Sequence, residues 1–224
     1  DRGKFPNIEF VRALKNALSK DEGTIFRYSN HENTVLNQIR EQILGMGSSV
    51  ADSNELVAFI DSITKRGRTK KDTWVGKRCM VDLWDIYKKF HYLPATQGSN
   101  SLKYVLPAIL GASPFLKKQY ADPIYGTKIK SSNFKAQAWI HLDETGQPRD
   151  PYKLLGPMLA DIPQEKLQQY VDDEDDEGIR NGGAAMMAWA KLQFSEPTKA
   201  EEDRIRKELL RYCELDTLAM VMLV

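Results

Sequence analysis

The stretch Leu209-Leu210-Arg211-Tyr212-Cys213-Glu214-Leu215-Asp216-Thr217-Leu218-Ala219-Met220 sets a tyrosine and an aspartate four residues apart inside a strongly helical, otherwise apolar run. At that spacing two side chains share one helix face, so the phenol and the carboxylate lie one above the other. A carboxylate there can hold a divalent cation, and a phenol one turn earlier can orient a water. Metal-assisted hydrolysis of a phosphodiester uses both parts. The same spacing also fits a half-buried Tyr212 and a solvated Asp216, so the pair alone leaves both readings open.

Working upstream, Pro197, Thr198 and Glu201-Glu202 open this last helix, with Thr198 as its N-cap and acids in the first turn. Residues 182–194 read as an apolar helix whose methionines fill core space. Asp172 to Glu177 is an unbroken acidic run, read as a solvated loop because adjacent carboxylates lack chelating spacing. Between about 111 and 177 the pattern loses period and reads as an irregular, largely helical insertion, with weak helical stretches at 152–159 and 163–171. The N-terminal half is more regular. Helical spacing covers 8–20, closed by Gly23, and a second helix follows Asn30 with Val35, Leu36, Ile39 and Ile43 inward. Further helices fall at 53–64, 84–90 and 101–110, the last kinked or shifted by Pro107. Segments 24–28 and 79–83 read as strands; helices separate them, so a parallel pairing in an α/β domain follows.

The chain has 224 residues, 42% of them hydrophobic, enough for one domain with a sizeable core. Its 32 basic and 31 acidic residues leave a net charge of +1. That excludes a general polycation, so nucleic-acid binding must come from local patches. Cys79 and Cys213 form no metal or redox motif, which fits a reduced, cytoplasmic compartment. No apolar run reaches membrane-spanning length and no signal peptide is visible, so no membrane partner is expected. Residue 1 is Asp, and the chain is expected to begin inside a longer polypeptide.

Three local groups carry further chemistry. Arg66, Arg68, Lys70 and Lys71 surround Trp74, a basic segment with an aromatic that fits single-stranded nucleic acid and fits an ordinary solvated loop as well. Ser99, Ser101 and Lys103 lie where a loop enters a helix; they can hold a phosphate, or Ser99 or Asn100 can simply cap that helix. Asp82 closes a strand and opens a helix, either as an N-cap or as a carboxylate supporting a nearby site. Glu32 is an acid in a helical first turn, a position the helix dipole favours by itself. His91 and His141 read as structural.

Three segments together resemble a known family. They are Ile25 to Leu36, then Met80-Val81-Asp82-Leu83-Trp84 with Gly98 to Ala108, then Leu210 to Met220. In that order they are similar to the bacterial domain of unknown function 2779, itself resembling the ribonuclease H-like, DnaQ-type 3′–5′ exonucleases of the DEDD group. The resemblance implies a three-layer ribonuclease H-like fold over residues 1–224. It implies two divalent cations, Mg²⁺ or Mn²⁺, held by acidic residues of three motifs. Tyr212 and Asp216 match the third motif in its tyrosine form. Glu32 matches the second by position, with Glu where Asp is commoner, as a metal ligand and catalytic residue beside Asp216. The first motif, an Asp-x-Glu on a strand, has no counterpart near the N-terminus. The chain then reads as a domain fragment lacking the N-terminal antiparallel strands, its site completed by upstream polypeptide, and the fragment by itself is expected to be inactive. The implied activity is hydrolysis of DNA or RNA, probed against a degenerate module of the same fold that binds nucleic acid or a protein without cutting.

Overall fold

A computed structural model describes residues 5–67, 72–155, 185, 187–190, 192–194 and 196–224. Over these residues the chain is mixed α/β, mostly helical, with two small two-stranded sheets. It divides into two compact units, Gly3–Tyr92 and Leu93–Val224.

In the first unit α1 (Asn7–Leu18), α2 (His31–Met46) and α3 (Ser53–Ile63) pack around one apolar cluster. The faces read from helical spacing are the buried ones: Leu36, Ile39 and Ile43 on α2 meet Val11, Leu56 and Ile60. α1 stops at Ser19, whose N–H donates to the Lys15 carbonyl, so Gly23 lies beyond the cap instead of forming it. β1 (Phe26–Arg27) pairs in parallel with β4 (Val81–Asp82), Phe26 opposite Val81 and Arg27 opposite Asp82. The parallel relation follows the separation of the two strands by helices. α4 (Leu83–Phe90) leaves β4 directly.

The basic segment after α3 holds an element the sequence did not announce. β2 (Lys65–Arg66) and β3 (Trp74–Val75) form an antiparallel ladder. Asn33 fastens it: the Lys65 N–H donates to Asn33 Oδ1 (2.9 Å), and Asn33 Nδ2 donates to the Lys65 carbonyl (3.0 Å). At the other end, a Cβ on Gly76 would sit 2.3 Å from the carbonyl oxygens of Asp61 and Ser62, so the ladder can approach α3 this closely only with glycine.

The second unit is built on α5 (Leu102–Ala112), α6 (Pro114–Tyr120) and the long C-terminal α7 (Lys199–Leu223). α7 has Thr198 at its N-cap, as its sequence predicts, and Glu201 completes a reciprocal capping box with it. α5 runs through Pro107 as one helix to Ala112. From α6 to residue 155 the backbone is irregular, with isolated bridges and one 3₁₀ turn (Pro151–Leu154). An aromatic cluster of Tyr125, Phe134 and Trp139 packs there with Leu106, Ile205, Leu215 and Leu218. The acidic run 172–177 and the stretch 163–171 lie outside the described residues; of 182–194, residues 185, 187–190 and 192–194 are helical.

Candidate functional site

Tyr212 and Asp216 share a face of α7, as their spacing requires. Tyr212 is buried (8% exposed) and Asp216 half-buried. Against that face lies the 3₁₀ turn, where Asp150 accepts the Tyr152 N–H (2.9 Å) and Pro151 supplies a preset φ. The Tyr152 hydroxyl donates to Asp216 Oδ1 at 2.6 Å, and its ring tilts against that of Tyr212 with centroids 5.9 Å apart. Lys103, in the first turn of α5, brings its Nζ 5.6 Å from the centre of the Tyr212 ring. Burial pulls the Lys103 ammonium below the usual lysine range, while Asp216 and Asp150 pull it back up. Burial first, and the Asp216 charge second, drive both phenols well above the ordinary tyrosine value, so both stay protonated donors.

Ser101 occupies the N-cap position of α5 without a side-chain capping bond, and its N–H donates to Ser99 Oγ (3.2 Å). The cap therefore falls one or two residues later than Asn100 and Ser99. Gln97 and Gly98 turn the chain into this helix with φ of 53° and 84°.

Glu214, two residues before Asp216, has a different task. It accepts from Tyr125 Oη (2.8 Å), Ser131 Oγ (2.5 Å), the N–H groups of Ser132 and Asn133 (3.3 and 2.9 Å) and Asn133 Nδ2 (2.7 Å). It anchors the irregular segment to α7.

In the first unit Asp82 is the N-cap of α4, accepting from the Trp84 N–H (3.1 Å). The same carboxylate accepts from the Ser29 N–H (2.9 Å) and pairs with Arg27 at 3.1 Å, the two side chains 11% and 2% exposed. Arg27 in turn donates to the Ser29 carbonyl and to Asn30 Oδ1. Asn30 thus turns its side chain to Arg27 and makes no capping bond to α2. This network shapes the turn from which α2 leaves, with Ser29 at φ 75° and Glu32 in the first helical turn. Glu32 is half-buried, and its Oε2 is buried with no hydrogen-bond partner.

Trp74 is 48% exposed. Its Nε1 donates to the Asp61 carbonyl (3.0 Å) and the Arg66 guanidinium lies 5.2 Å from its ring centre. Arg66 and Arg40 both pair with the Asp61 carboxylate. The indole is therefore held in one orientation beside a cation. Arg68, Lys70 and Lys71 lie outside the described residues.

Tyr152, Asp150, Arg27 and Glu214 were not found from the sequence. Asp150-Pro151 is a legible turn start, but nothing local ties that turn to a residue 64 positions later. His91 stacks on Tyr87 and the His141 ring lies 3.0 Å from the Ala138 carbonyl, consistent with structural places for both. Cys79 is half-buried and Cys213 exposed, both as free thiols.

Residues 1–101 match the family model described as domain of unknown function DUF2779. The DUF2779 stretch contains Glu32, Asp82 and the Arg66–Trp74 hairpin, and it ends before Lys103. No curated protein and no solved structure matches the chain. Among the described residues no helix is long and apolar enough to cross a membrane.

Proposed function

We propose that this chain contributes to a metal-dependent nuclease that hydrolyses phosphodiester bonds of single-stranded DNA or RNA, in the manner of a ribonuclease H-like 3′–5′ exonuclease. The observation that carries the reading is the α7 face on which Asp216 stands over Tyr212, with Lys103 beside them. Glu32 and Asp216 are carboxylates, the ligand type a hard divalent cation takes, and Glu32 Oε2 is buried with no hydrogen-bond partner. Among the described residues no three His, Cys, Asp or Glu side chains form a group able to hold a metal. Asp216 in the second unit and Glu32 in the first are each a single carboxylate, so the described residues do not by themselves make up a metal site. A bound Mg²⁺ or Mn²⁺ would activate a water and neutralise charge on the departing oxygen. Tyr212, kept protonated by burial, donates a hydrogen bond that orients water or a phosphate oxygen. Lys103 supplies a point charge for a phosphate.

The same geometry has a second reading, a module that binds nucleic acid without cutting it. The bond from Tyr152 to Asp216 favours it, because one carboxylate oxygen already has a donor. The purified full-length polypeptide is incubated with 5′- and 3′-labelled single strands of DNA and RNA in Mg²⁺ or Mn²⁺. Asp216→Asn and Glu32→Gln should lose most cleavage and keep strand binding, which rests on phosphate contacts. Tyr212→Phe should slow cleavage by about 10²–10³, the scale of one lost transition-state hydrogen bond. Unchanged turnover in Asp216→Asn refutes the catalytic assignment. Strand binding without cleavage in either metal by the full-length polypeptide selects the second reading.

A further inference from the structure

Arg66 and Trp74 stand opposite each other on one rung of the β2–β3 ladder. The indole is open to solvent, yet it is not loose. Its Nε1 donates to the Asp61 carbonyl, one of the last-turn carbonyls that α3 itself leaves unpaired. The Arg66 guanidinium stands over one side of the ring. What remains exposed is a flat aromatic surface in a fixed orientation. Arg66 is held in a way that leaves it transferable. Its Nη1 donates to Asp61 Oδ1, and Arg40 Nε donates to that same oxygen at 2.7 Å. The half-buried carboxylate keeps Arg40 when Arg66 turns to another anion, so the exchange strands no charge. Residues 65–78 carry seven lysines and arginines against one acid, Asp72, in a chain of net charge +1. Of these, Lys65 and Lys77 are exposed on the two sides of the ladder.

We infer that Trp74 and Arg66 form a one-nucleotide site for single-stranded nucleic acid, with a base stacked on the open face of the indole and a phosphate taking Arg66 over from Asp61. A nucleotide carries a plane and an anion on one unit, and this rung presents the complement of each. An acidic peptide matches the charge and offers nothing flat to the indole. A duplex keeps its base faces inside the stack. The site shares no residue with the Tyr212–Asp216 face, so it holds whether the strand is cut or only bound.

The full-length polypeptide is titrated in EDTA, which prevents metal-dependent cleavage, with three probes. They are a labelled oligo(dT), the same strand made abasic, and a polyglutamate peptide of equal charge. Wild type should bind the intact strand more tightly than the abasic one. Trp74→Ala should weaken oligo(dT) binding on the order of 10–100-fold and leave abasic binding unchanged. Trp74→Phe keeps a ring and should lose far less. Asp61→Asn should tighten binding of both strands and steepen the slope of log affinity against log salt by less than about one, because Arg66 is then free for phosphate. Arg66→Gln added to Asp61→Asn should cancel that gain. Circular dichroism checks the fold of each variant. If wild type binds intact and abasic strands equally, or the gap between them persists in Trp74→Ala, no base stacks on the indole and the proposal falls. If Asp61→Asn weakens binding in a folded protein, or its gain survives Arg66→Gln, the exchange at Arg66 is wrong. Polyglutamate bound as tightly as oligo(dT), and lost in Trp74→Ala, would make the rung a protein-docking surface instead.

Discussion

Neutral donors hold Glu214 ionised further into acid in the folded chain. Partial burial pushes its carboxyl up, but hydrogen bonds from Ser131, Tyr125, Asn133 and the Ser132 amide outweigh burial and hold it below the ordinary carboxylate range. A carboxyl depressed by folding contributes stability above its unfolded pKa, about 4.3. That contribution is lost as pH falls through the lower folded value. Glu214→Gln should therefore cost about 1–2 kcal/mol near neutral pH, reduced from a fully buried case by solvent contact. Urea unfolding of wild type and variant from pH 7 to pH 3 checks this. The gap should hold steady down to about pH 5 and close below about pH 4. A gap that widened in acid would reverse the assigned sign.

Two side chains of α2 hold the β2–β3 hairpin at Lys65: Asn33, and Asn37, whose Nδ2 donates to the same carbonyl at 3.1 Å. Asn33 is buried and gives both halves of its amide to the Lys65 backbone. Asn33→Ala leaves the Lys65 N–H without its acceptor, while Asn37 still donates to the carbonyl, at a cost of about 1–3 kcal/mol. Hydrogen exchange should show the amides of 65–67 and 72–76 opening faster while α1 keeps its protection. Uniform acceleration across the first unit would show that the hairpin has no separate anchor. The contrast with the helices explains what could be read in advance. Leu36, Ile39 and Ile43 repeat at helical spacing, and Thr198 with Glu201 forms a cap within four residues, so local sequence suffices. Lys65 and Arg66 pair with Val75 and Trp74 with no alternating pattern to announce them, because a side chain 32 positions earlier does the fastening.

Across the chain the charges nearly cancel, so any affinity for a strand is local and ordinary in its response to salt. Trp74 is the exposed aromatic held beside a cation, and stacking of one base on it is worth about 1–3 kcal/mol. Trp74→Ala should weaken binding of a labelled oligonucleotide by that amount at every salt concentration. Arg66→Gln should lower the slope of log affinity against log salt by less than about one, because Asp61 already shares its charge. Fluorescence anisotropy between low and high KCl separates the two, and full affinity in Trp74→Ala would remove the hairpin from the binding surface. The candidate site was legible to the extent that Tyr212 and Asp216 lie one turn apart. The hydroxyl that reaches Asp216 and the donors that fill Glu214 come from 64 to 89 positions away, and spacing rules do not extend that far.

One consequence of Glu214 and Asp216 is mechanical. Two residues along a helix turn it by about 200°, so the two carboxylates grip α7 from nearly opposite sides. A rod keyed on both flanks cannot roll. Adding a single residue between them would rotate one key by about 100° against the other, and neither the Ser131–Asn133 loop nor the Tyr152 turn could follow. The same insertion near Lys199, ahead of both keys, would shift only the cap. Tolerance to length change along this helix should therefore be steeply one-sided, high at its entrance and nil at 214–216.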